Sequence, residues 1–250
     1  MIIEDFVVDS NIKIAESTFL IGLNSQINLD NLQPGQFFNI QVSNNHFPLL
    51  RRPFSISDII DDKIYFMYKI VGEGTSILSH KKKGEKINLL GPLGNNFNVS
   101  NFENILLLGG GIGIAPFPFF SKKLVNKNFK VLFGVRTKNE AHNYGLKNVL
   151  FSSEDGSIGK KGTVIDLLDE ELKNLDFEKT KIYACGPNAM FRALQKYLIN
   201  KNIECEVSME SAMACGFGIC QGCPVEHNHS ESYKLICKDG PIFNIREIVI

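Results

Sequence analysis

Four cysteines near the C-terminus have a spacing that could hold a redox centre. Cys215, Cys220 and Cys223 form a C-x4-C-x2-C motif, and Cys237 follows after a gap of 13 residues. This is the spacing of a plant-type [2Fe–2S] site, in which four thiolates converge on two irons. The sequence therefore predicts an iron–sulfur centre that takes up and releases electrons.

Glycines between these cysteines fit the same interpretation. Gly216, Gly218 and Gly222 permit unusual backbone dihedrals and let amide N–H groups approach cluster sulfurs closely. A structural zinc site and a set of free cysteines are the alternatives, although zinc sites usually present two C-x2-C-like pairs. His227 and His229 lie inside the gap and are predicted to be exposed loop residues, because four cysteines already complete the ligand set.

Two larger segments precede the cysteines and must position them. From residue 1 to 99, short apolar runs are separated by turn-forming Gly, Pro, Asn and Asp. Such runs predict the strands of a small antiparallel β-barrel, and they cover residues 6–8, 18–21, 37–42 and 64–68. The string Gly-Pro-Leu-Gly at 91–94 is interpreted as the turn-rich end of this barrel.

The pattern changes after residue 99. Buried-strand candidates alternate with helical stretches, which predicts a parallel α/β sheet; the strands are 104–108, 131–135 and 181–185, and the helices run to about 126 and over 188–200. The last segment is rich in Gly and Cys and too small for its own core, so we expect a bound centre to organise it. The predicted fold class is β plus α/β, with domains at 1–99, 100–205 and 206–250.

Composition narrows the possible function classes. Lys plus Arg and Asp plus Glu are both 27, so the formal net charge is zero, which argues against a broad nucleic-acid surface. The N-terminus has acidic residues by position 5, and no stretch approaches the about 20 apolar residues of a membrane helix. Six cysteines, mostly clustered, favour a reducing compartment. We therefore expect a cytoplasmic protein without a nucleic-acid or membrane partner.

Two strings in the barrel segment offer groups that bind a flavin nucleotide. Residues 52–55, Arg-Pro-Phe-Ser, provide a guanidinium for a pyrophosphate, a ring for stacking and a hydroxyl. Residues 72–76, Gly-Glu-Gly-Thr-Ser, provide backbone amides and hydroxyls for phosphate. Taken alone, each string is better explained by an ordinary turn.

A glycine turn opens the α/β segment. Residues 109–113, Gly-Gly-Gly-Ile-Gly, follow an apolar strand and precede a helix, so their N–H groups form a potential anion site. The string is not the G-x-G-x-x-G fingerprint, and close strand–helix packing is the alternative. Residues 134–136 and 154–156 lie at further strand ends, where ligands collect in open α/β sheets.

The order of these motifs resembles the ferredoxin–NADP reductase superfamily, whose barrel domain binds FAD through an Arg-x-Tyr-Ser motif. By this resemblance Arg52 holds the FAD pyrophosphate, Phe54 stacks on the flavin and Ser55 approaches its reactive edge. Phe54 replaces the tyrosine of the superfamily and lacks its hydroxyl. The implied FAD residues are Arg52, Pro53, Phe54, Ser55, Met67, Tyr68, Lys69, Gly74 and Thr75.

The same resemblance implies a nicotinamide site in the α/β segment. Its residues are Gly110, Gly111 and Gly113 in the glycine turn, with Cys185, Gly186 and Pro187 where the nicotinamide approaches the flavin. No basic cluster suits a 2′-phosphate, which favours NAD over NADP. On the residues alone, Cys185 and Cys205 are isolated and are predicted to be small buried residues.

The C-terminal strings 208–223 and 237–243 make the resemblance more specific. Over essentially its whole length, the chain is similar to the electron-transfer subunits of two-subunit, NAD-dependent dihydroorotate dehydrogenases. This implies an FMN-containing catalytic partner, a heterotetramer of two of each subunit, and electron flow through [2Fe–2S] and FAD to NAD⁺ in pyrimidine biosynthesis. No catalytic acid, base or nucleophile is required, and Glu210 is interpreted as structural.

Two other functions are compatible with the motifs. One is the small subunit of a related flavoenzyme, such as an NADH-dependent ferredoxin–NADP oxidoreductase or a sulfhydrogenase. The other is a zinc-stabilised binding module without redox function.

Overall fold

The computed structural model describes residues 1–25, 27–43, 47–99, 101–228 and 232–250, so His229 lies outside the described residues. In these ranges the strands are β1 (Ile2–Ala15), β2 (Thr18–Asn24), β3 (Phe37–Ile40), β4 (Arg52–Ile60), β5 (Lys63–Lys69), β6 (Lys86–Leu93), β7 (Asn104–Gly110), β8 (Asn128–Val135), β9 (Val149–Ser153), β10 (Lys160–Lys161), β11 (Thr180–Cys185), β12 (Glu204–Ser208), β13 (Pro224–Glu226), β14 (Tyr233–Leu235) and β15 (Ile242–Asn244). The helices are α1 (Glu73–Ser79), α2 (Phe117–Lys122), α3 (Val164–Leu172), α4 (Asn188–Leu198) and α5 (Ile236–Asp239), and 3-10 turns cover Gly111–Ile114, Lys138–Glu140 and Phe177–Lys179.

The N-terminal part is a closed antiparallel barrel. Its strands follow the order β1-β2-β5-β4-β3-β6, with β6 returning to β1. Alternate residues of each strand point inward, so Phe38, Ile40 and Phe66 fill the barrel core while Phe37 and Asn39 point outward. The predicted antiparallel barrel is confirmed.

The second part is a sheet in the order β10-β9-β8-β7-β11-β12-β15. The neighbours from β10 to β12 pair in parallel, whereas β15 pairs with β12 antiparallel. Leu106 and Leu108 pack on one face with α3 and α4, whereas Ile105 and Leu107 pack on the other with α2. Burial on both faces explains the continuous apolar run at 104–108, and the predicted parallel α/β sheet is confirmed.

The C-terminal segment does not stand apart from this sheet. Strands β12 and β15 extend the sheet, whereas β13 and β14 form a separate two-stranded ribbon. Between them lies an irregular loop at 209–223, which carries three of the four clustered cysteines. As expected, the segment has no separate core, and it packs on the neighbouring sheet.

Two local expectations were wrong. The string at 91–94 does mark the end of the barrel, because β6 ends at Leu93, but residues 91–93 continue that strand and do not form a turn. Glycine is required at Gly91, because a Cβ there would lie 2.3 Å from the ring of Phe38. The helix after the glycine turn ends at Lys122, short of residue 126. A 3-10 turn at Gly111–Ile114 lies between β7 and this helix.

The barrel and the sheet are held together by apolar packing and by ion pairs. Phe97, in the connection between them, stacks on Phe120 with ring centroids 4.7 Å apart and meets the edge of Tyr183 at 5.6 Å. Asp58 on β4 is 2% exposed and pairs with Lys122 on α2 at 2.5 Å. These buried contacts fix the position of the barrel relative to the sheet.

The described residues contain no helix long and apolar enough to cross a membrane.

Replacing Phe97 with Ala should lower the free energy of unfolding by about 3–5 kcal/mol, because a buried ring shared by both units is lost. Urea unfolding followed by tyrosine fluorescence measures this change. Val125→Ala is the control, since Val125 is 75% exposed and should cost less than about 0.5 kcal/mol. Equal effects of the two substitutions would contradict the proposed role of Phe97.

His142 makes stability depend on pH. Its ring packs edge-on against Phe133 and its Nδ1 has no partner, and burial lowers the pKa of His142 to about 4. The His142 ring takes up a proton near pH 6.5 in the unfolded chain but only near pH 4 in the folded chain. The free energy of unfolding is therefore highest above pH 6.5 and decreases as the pH falls from 6.5 to 4. His142→Leu should remove about 1–3 kcal/mol of that loss, measured by urea unfolding at both pH values. A similar change with the exposed His80→Leu would contradict this assignment.

Candidate functional site

A cavity of about 460 Å³ lies where the barrel meets the sheet. It is lined by most of the residues that the sequence assigns to flavin binding and by one assigned to the nicotinamide: Arg52, Pro53, Phe54, Ser55, Met67, Tyr68, Lys69, Thr75 and Cys185. Gly74 lies directly behind it, because a Cβ on Gly74 would sit 3.3 Å from Arg52 Nε. The described fold thus brings the two barrel strings to one site. We call this the first cavity.

Two adjacent arginines have different roles at the first cavity. Arg51 points away from it and donates hydrogen bonds to Asn88 Oδ1 at 2.6 Å and to the Asn88 carbonyl at 3.1 Å. Arg52 lines the cavity, and one of its N–H groups donates to the Leu50 carbonyl at 2.7 Å. Arg52 therefore remains the arginine that could reach a pyrophosphate.

Aromatic residues build one wall of the first cavity. The Phe54 ring meets the edge of Tyr68 at 5.8 Å, and Tyr68 stacks on Phe19 at the same distance. The Tyr68 hydroxyl donates to Asn11 Oδ1 at 2.9 Å, and burial raises its pKa, so it stays a neutral donor fixed inside the barrel. Phe54 is half-buried and lines the first cavity, so its ring offers apolar surface to a ligand there.

A second cavity of about 500 Å³ lies at the carboxyl edge of the parallel strands. The predicted nicotinamide residues at this edge are Gly110, Gly111, Gly113, Gly186 and Pro187, and the strand-end candidates Gly134, Val135, Arg136 and Glu154 join them. Gly113 packs against β11 so closely that a Cβ would lie 2.2 Å from the Cys185 carbonyl oxygen. The glycine turn therefore packs closely on β11 through Gly113 and also forms part of the cavity wall.

Sequence reasoning missed the start of helix α3, which opens onto the second cavity. Thr163 caps this helix: its side chain accepts from the Asp166 N–H, and Asp166 accepts from the Thr163 N–H. Gly162, Thr163, Val164 and Ile165 all line the cavity. The Thr-x-x-Asp spacing before an apolar run is a capping signal that could have identified this helix start, where free N–H groups favour an anion.

Three residues line both cavities: Lys69, Ile112 and Glu210. Lys69 Nζ lies 2.7 Å from Glu140 Oε1, and Arg136 lies 3.3 Å from the same oxygen. Burial would raise the pKa of Glu140, but hydrogen bonds and charge from Lys69 and Arg136 outweigh it and lower the pKa. Glu140 is thus an anion that holds two cations at the rim of the second cavity.

Glu210 stands on the wall between the cavities. Solvent still reaches its side chain, yet protein atoms crowd it within the cleft and raise the pKa of its carboxyl. Below it, burial and the charge of Glu210 raise the pKa of the Cys185 thiol well above its ordinary value. Cys185 and Cys205 are both buried, as expected, and Cys185 is a neutral thiol facing the first cavity.

The four clustered cysteines meet as two pairs. The Cys220 N–H donates to Cys215 Sγ at 3.4 Å, and the Cys237 N–H donates to Cys223 Sγ at 3.4 Å. Cys220 is exposed, whereas Cys223 and Cys237 are buried. Within the described ranges, no three His, Cys, Asp or Glu side chains converge on a single point as ligands of one ion.

The loop around the cysteines directs backbone amides at the sulfurs. Partial burial raises the pKa of Cys215, but N–H groups of Cys220, Phe217 and Ile219 outweigh it and lower the pKa to about 6. The Gly218 N–H also points at the Cys237 sulfur, but burial and the neighbouring Cys223 outweigh it and raise the pKa of Cys237 to about 12. Thiolates supported by several amides are the donor set that an iron–sulfur cluster needs, so these residues fit such a group. His227, predicted to be an exposed loop residue, is instead half-buried and forms a bridge with Ile248.

Comparisons with known proteins agree with this arrangement. The family described as the iron–sulfur cluster binding domain of dihydroorotate dehydrogenase B matches residues 210–249. The chain is 37% identical, over 97% of both chains, to the dihydroorotate dehydrogenase B (NAD(+)) electron transfer subunit of Bacillus velezensis. It is 36% identical to the subunit of that name from Caldanaerobacter subterraneus subsp. tengcongensis, covering 86% of this chain and 87% of the relative.

Solved structures give a similar result. A chain of the NADH-dependent reduced ferredoxin–NADP oxidoreductase, studied for flavin-based electron bifurcation, superposes with a TM-score of 0.87 and 31% identity, covering 98% of this chain and 89% of that one. The ferredoxin reductase of carbazole 1,9a-dioxygenase superposes with a TM-score of 0.68 at 21% identity, covering 81% of this chain and 67% of that one, and shares the fold.

Replacing Gly113 with Ala should destabilise the protein by about 1–3 kcal/mol or more, because the added methyl meets the β11 backbone, which cannot move aside cheaply. Urea unfolding measures the change. Gly72→Ala is the matched control: its backbone is extended and no atom lies within 4 Å of the added Cβ, so the cost should stay below about 1 kcal/mol. Equal losses would show that the close approach of Gly113 is not a constraint.

Proposed function

The chain belongs to the family of dihydroorotate dehydrogenase B electron transfer subunits, and from that membership we propose that it conducts electrons from dihydroorotate oxidation to NAD⁺. The electrons come from an FMN-containing catalytic partner, pass a [2Fe–2S] centre at Cys215, Cys220, Cys223 and Cys237, and reach FAD in the first cavity. NAD⁺ binds in the second cavity. When bound, the flavin exchanges two electrons with a nicotinamide and single electrons with a cluster, so it joins the two kinds of transfer.

The observation that carries this proposal is the shared wall between the two cavities. Because Lys69, Ile112 and Glu210 line both, ligands in the two cavities meet there. Met209 and Met213, which flank Glu210 on the way to the cysteine loop, line the first cavity as well. A flavin in the first cavity therefore has a nucleotide on one side and the cysteine loop on the other.

The chain's own residues have distinct duties in this arrangement. Arg52 neutralises the FAD pyrophosphate, Phe54 offers a face for stacking, and Ser55 offers a hydroxyl at the polar edge of the flavin. The remaining implied residues of the first cavity (Pro53, Met67, Tyr68, Lys69, Gly74 and Thr75) shape it and exclude water. In the second cavity, the glycine turn and the start of α3 offer N–H groups to the NAD pyrophosphate, with Lys69 and Arg136 adding positive charge.

The two cysteine pairs support a two-iron centre. Two irons that each take two thiolates need two pairs, whereas a structural zinc needs four ligands around one point. Cys220 is exposed and is flanked by Phe217 and Ile219, which are 37% and 76% exposed. Exposed apolar side chains around a redox centre favour docking of a partner subunit. We propose that the catalytic subunit docks here, in a heterotetramer of two of each subunit.

Two finer assignments belong to the same proposal. NAD is favoured over NADP because Glu154 and Glu140 line the second cavity, where a 2′-phosphate would meet negative charge. The cytoplasm is the proposed compartment, because six mostly clustered cysteines favour a reducing environment. The domain boundaries 1–99, 100–205 and 206–250 remain our proposed division of the chain.

The test is reconstitution of the holoprotein with an FMN-containing dihydroorotate dehydrogenase catalytic subunit. The complex should reduce NAD⁺ with dihydroorotate. Cys220→Ser should lower this activity at least about 100-fold, because the cluster path is broken, while NADH oxidation by a dye at the flavin persists. Cys205→Ala, a cysteine outside the loop, is the matched control and should keep both activities.

Four results would contradict the proposal. One is failure of the two chains to associate, and another is equal dihydroorotate activity in both cysteine variants. The third is reduction of ferredoxin in preference to turnover with dihydroorotate, which would favour the ferredoxin–NADP oxidoreductase role. A colourless protein with zinc and no iron would eliminate electron transfer altogether.

A further inference from the structure

Asn39 is a buried amide whose hydrogen-bonding groups have no partner in the described structure. Its side chain is 0% exposed, and neither Nδ2 nor Oδ1 makes a hydrogen bond. Leaving such a group unpaired destabilises the folded chain, so a buried amide of this kind calls for an explanation. An apolar residue of the same shape would fill the site without that cost.

The strand that carries Asn39 directs it toward the cysteine loop. Asn39 lies in the middle of β3, paired with Pro53 on one side and with Leu90 on the other. Its neighbours Phe38 and Ile40 point into the barrel core, so Asn39 points outward with Phe37. Phe37 lines the first cavity and belongs to the apolar cluster that contains Cys223 and Cys237.

The loop residue that meets Asn39 is Gly216, next to the ligand Cys215. A Cβ built on Gly216 would lie 2.0 Å from Asn39 Nδ2 and 3.2 Å from Leu93 Cδ1, so a glycine is required for this approach. Gly216 also has φ of +81°, which other residues adopt at a cost. The barrel amide therefore touches the backbone of the cysteine loop at the point where the loop wraps its first ligand.

The other donors around the cysteines are backbone amides of the C-terminal segment. Three amides point at Cys215, one points at Cys237, and the Cys237 N–H donates to Cys223 Sγ. A cluster at this site would add inorganic sulfides, which are further hydrogen-bond acceptors. Asn39 is a donor from a different domain, already aimed at the loop and lacking an acceptor.

We propose that Asn39 is a positioning residue of the flavin barrel whose Nδ2–H₂ group donates a hydrogen bond to a sulfur of the iron–sulfur centre. The inference rests on the proposed cluster at the four cysteines. A hydrogen bond to a sulfur stabilises the reduced centre, which carries more negative charge, and so raises its reduction potential. Asn39 thereby links the energetics of the centre to the barrel that holds the flavin.

The experiment compares cluster-loaded, FAD-loaded full-length chains, purified without oxygen. Asn39→Leu keeps the size and removes the donor, and Asn39→Ser keeps a shorter donor. The cluster potential is measured by redox titration monitored by electron paramagnetic resonance, with the flavin potential in the same protein as an internal reference. Asn24→Leu is the matched control, because Asn24 is exposed on β2, across the barrel from β3.

Asn39→Leu should make the cluster potential more negative by up to about 59 mV, which corresponds to a tenfold change in the equilibrium constant for one-electron reduction. The flavin potential and the iron content should not change. Asn39→Ser should lie between Asn39→Leu and the unsubstituted chain, and Asn24→Leu should match the unsubstituted chain. If Asn39→Leu does not hold iron, Asn39→Ala against Asn39→Ser gives the same comparison.

Several results would overturn the inference. In one, both donor-free variants keep the cluster and its unshifted potential; in another, the cluster and flavin potentials shift equally, as a general disturbance of the barrel would make them. An unsubstituted chain without an iron–sulfur signal would instead overturn the proposed function and this inference together. Lower thermal stability with an unchanged potential would assign Asn39 a merely structural role, and this too counts against the inference.

Discussion

Close packing between three units at one junction is the constraint on which the rest of the structure depends. The outer face of the barrel, the carboxyl edge of the parallel sheet and the cysteine loop all meet around the first cavity. Phe37 and Leu93 of the barrel share one apolar cluster with Met213, Cys223 and Cys237 of the last segment. Buried apolar surface therefore holds the cysteine loop next to the first cavity.

Glycine makes that junction possible at two points. Gly113 lets the turn after β7 rest on the end of β11, and Gly216 lets the cysteine loop rest on β3. In each case a methyl group would fall within about 2 Å of a neighbouring atom. The cavities and the loop are therefore as close as their backbones permit, and larger side chains would separate them.

Electrostatics complements the packing. Glu140 holds Lys69 of the barrel and Arg136 of the sheet at the rim of the second cavity, so one carboxylate joins two domains and orders two cations there. Glu210 occupies the wall between the cavities, where crowding raises the pKa of its carboxyl. In the cysteine loop, neutral backbone amides instead of charged side chains stabilise the Cys215 thiolate.

The sequence by itself determined the parts of this protein that depend on local pattern. Alternating runs indicated the barrel strands, the continuous run at 104–108 indicated a strand buried on both faces, and the spacing of four cysteines indicated the type of centre. These features can be predicted locally because strand burial and ligand spacing depend on residues close together in the sequence. Even so, the local pattern at 91–94 was misleading, since Gly and Pro there serve a strand that passes under Phe38.

Only the tertiary structure decided what lies next to what. It separated Arg51, which braces Asn88, from Arg52, which faces the first cavity, although the two are adjacent in sequence. It brought the start of α3 to the second cavity and Asn39 to the cysteine loop, across gaps of many residues. No periodicity records such contacts, because they follow from how whole sheets pack, and packing is a property of the folded chain.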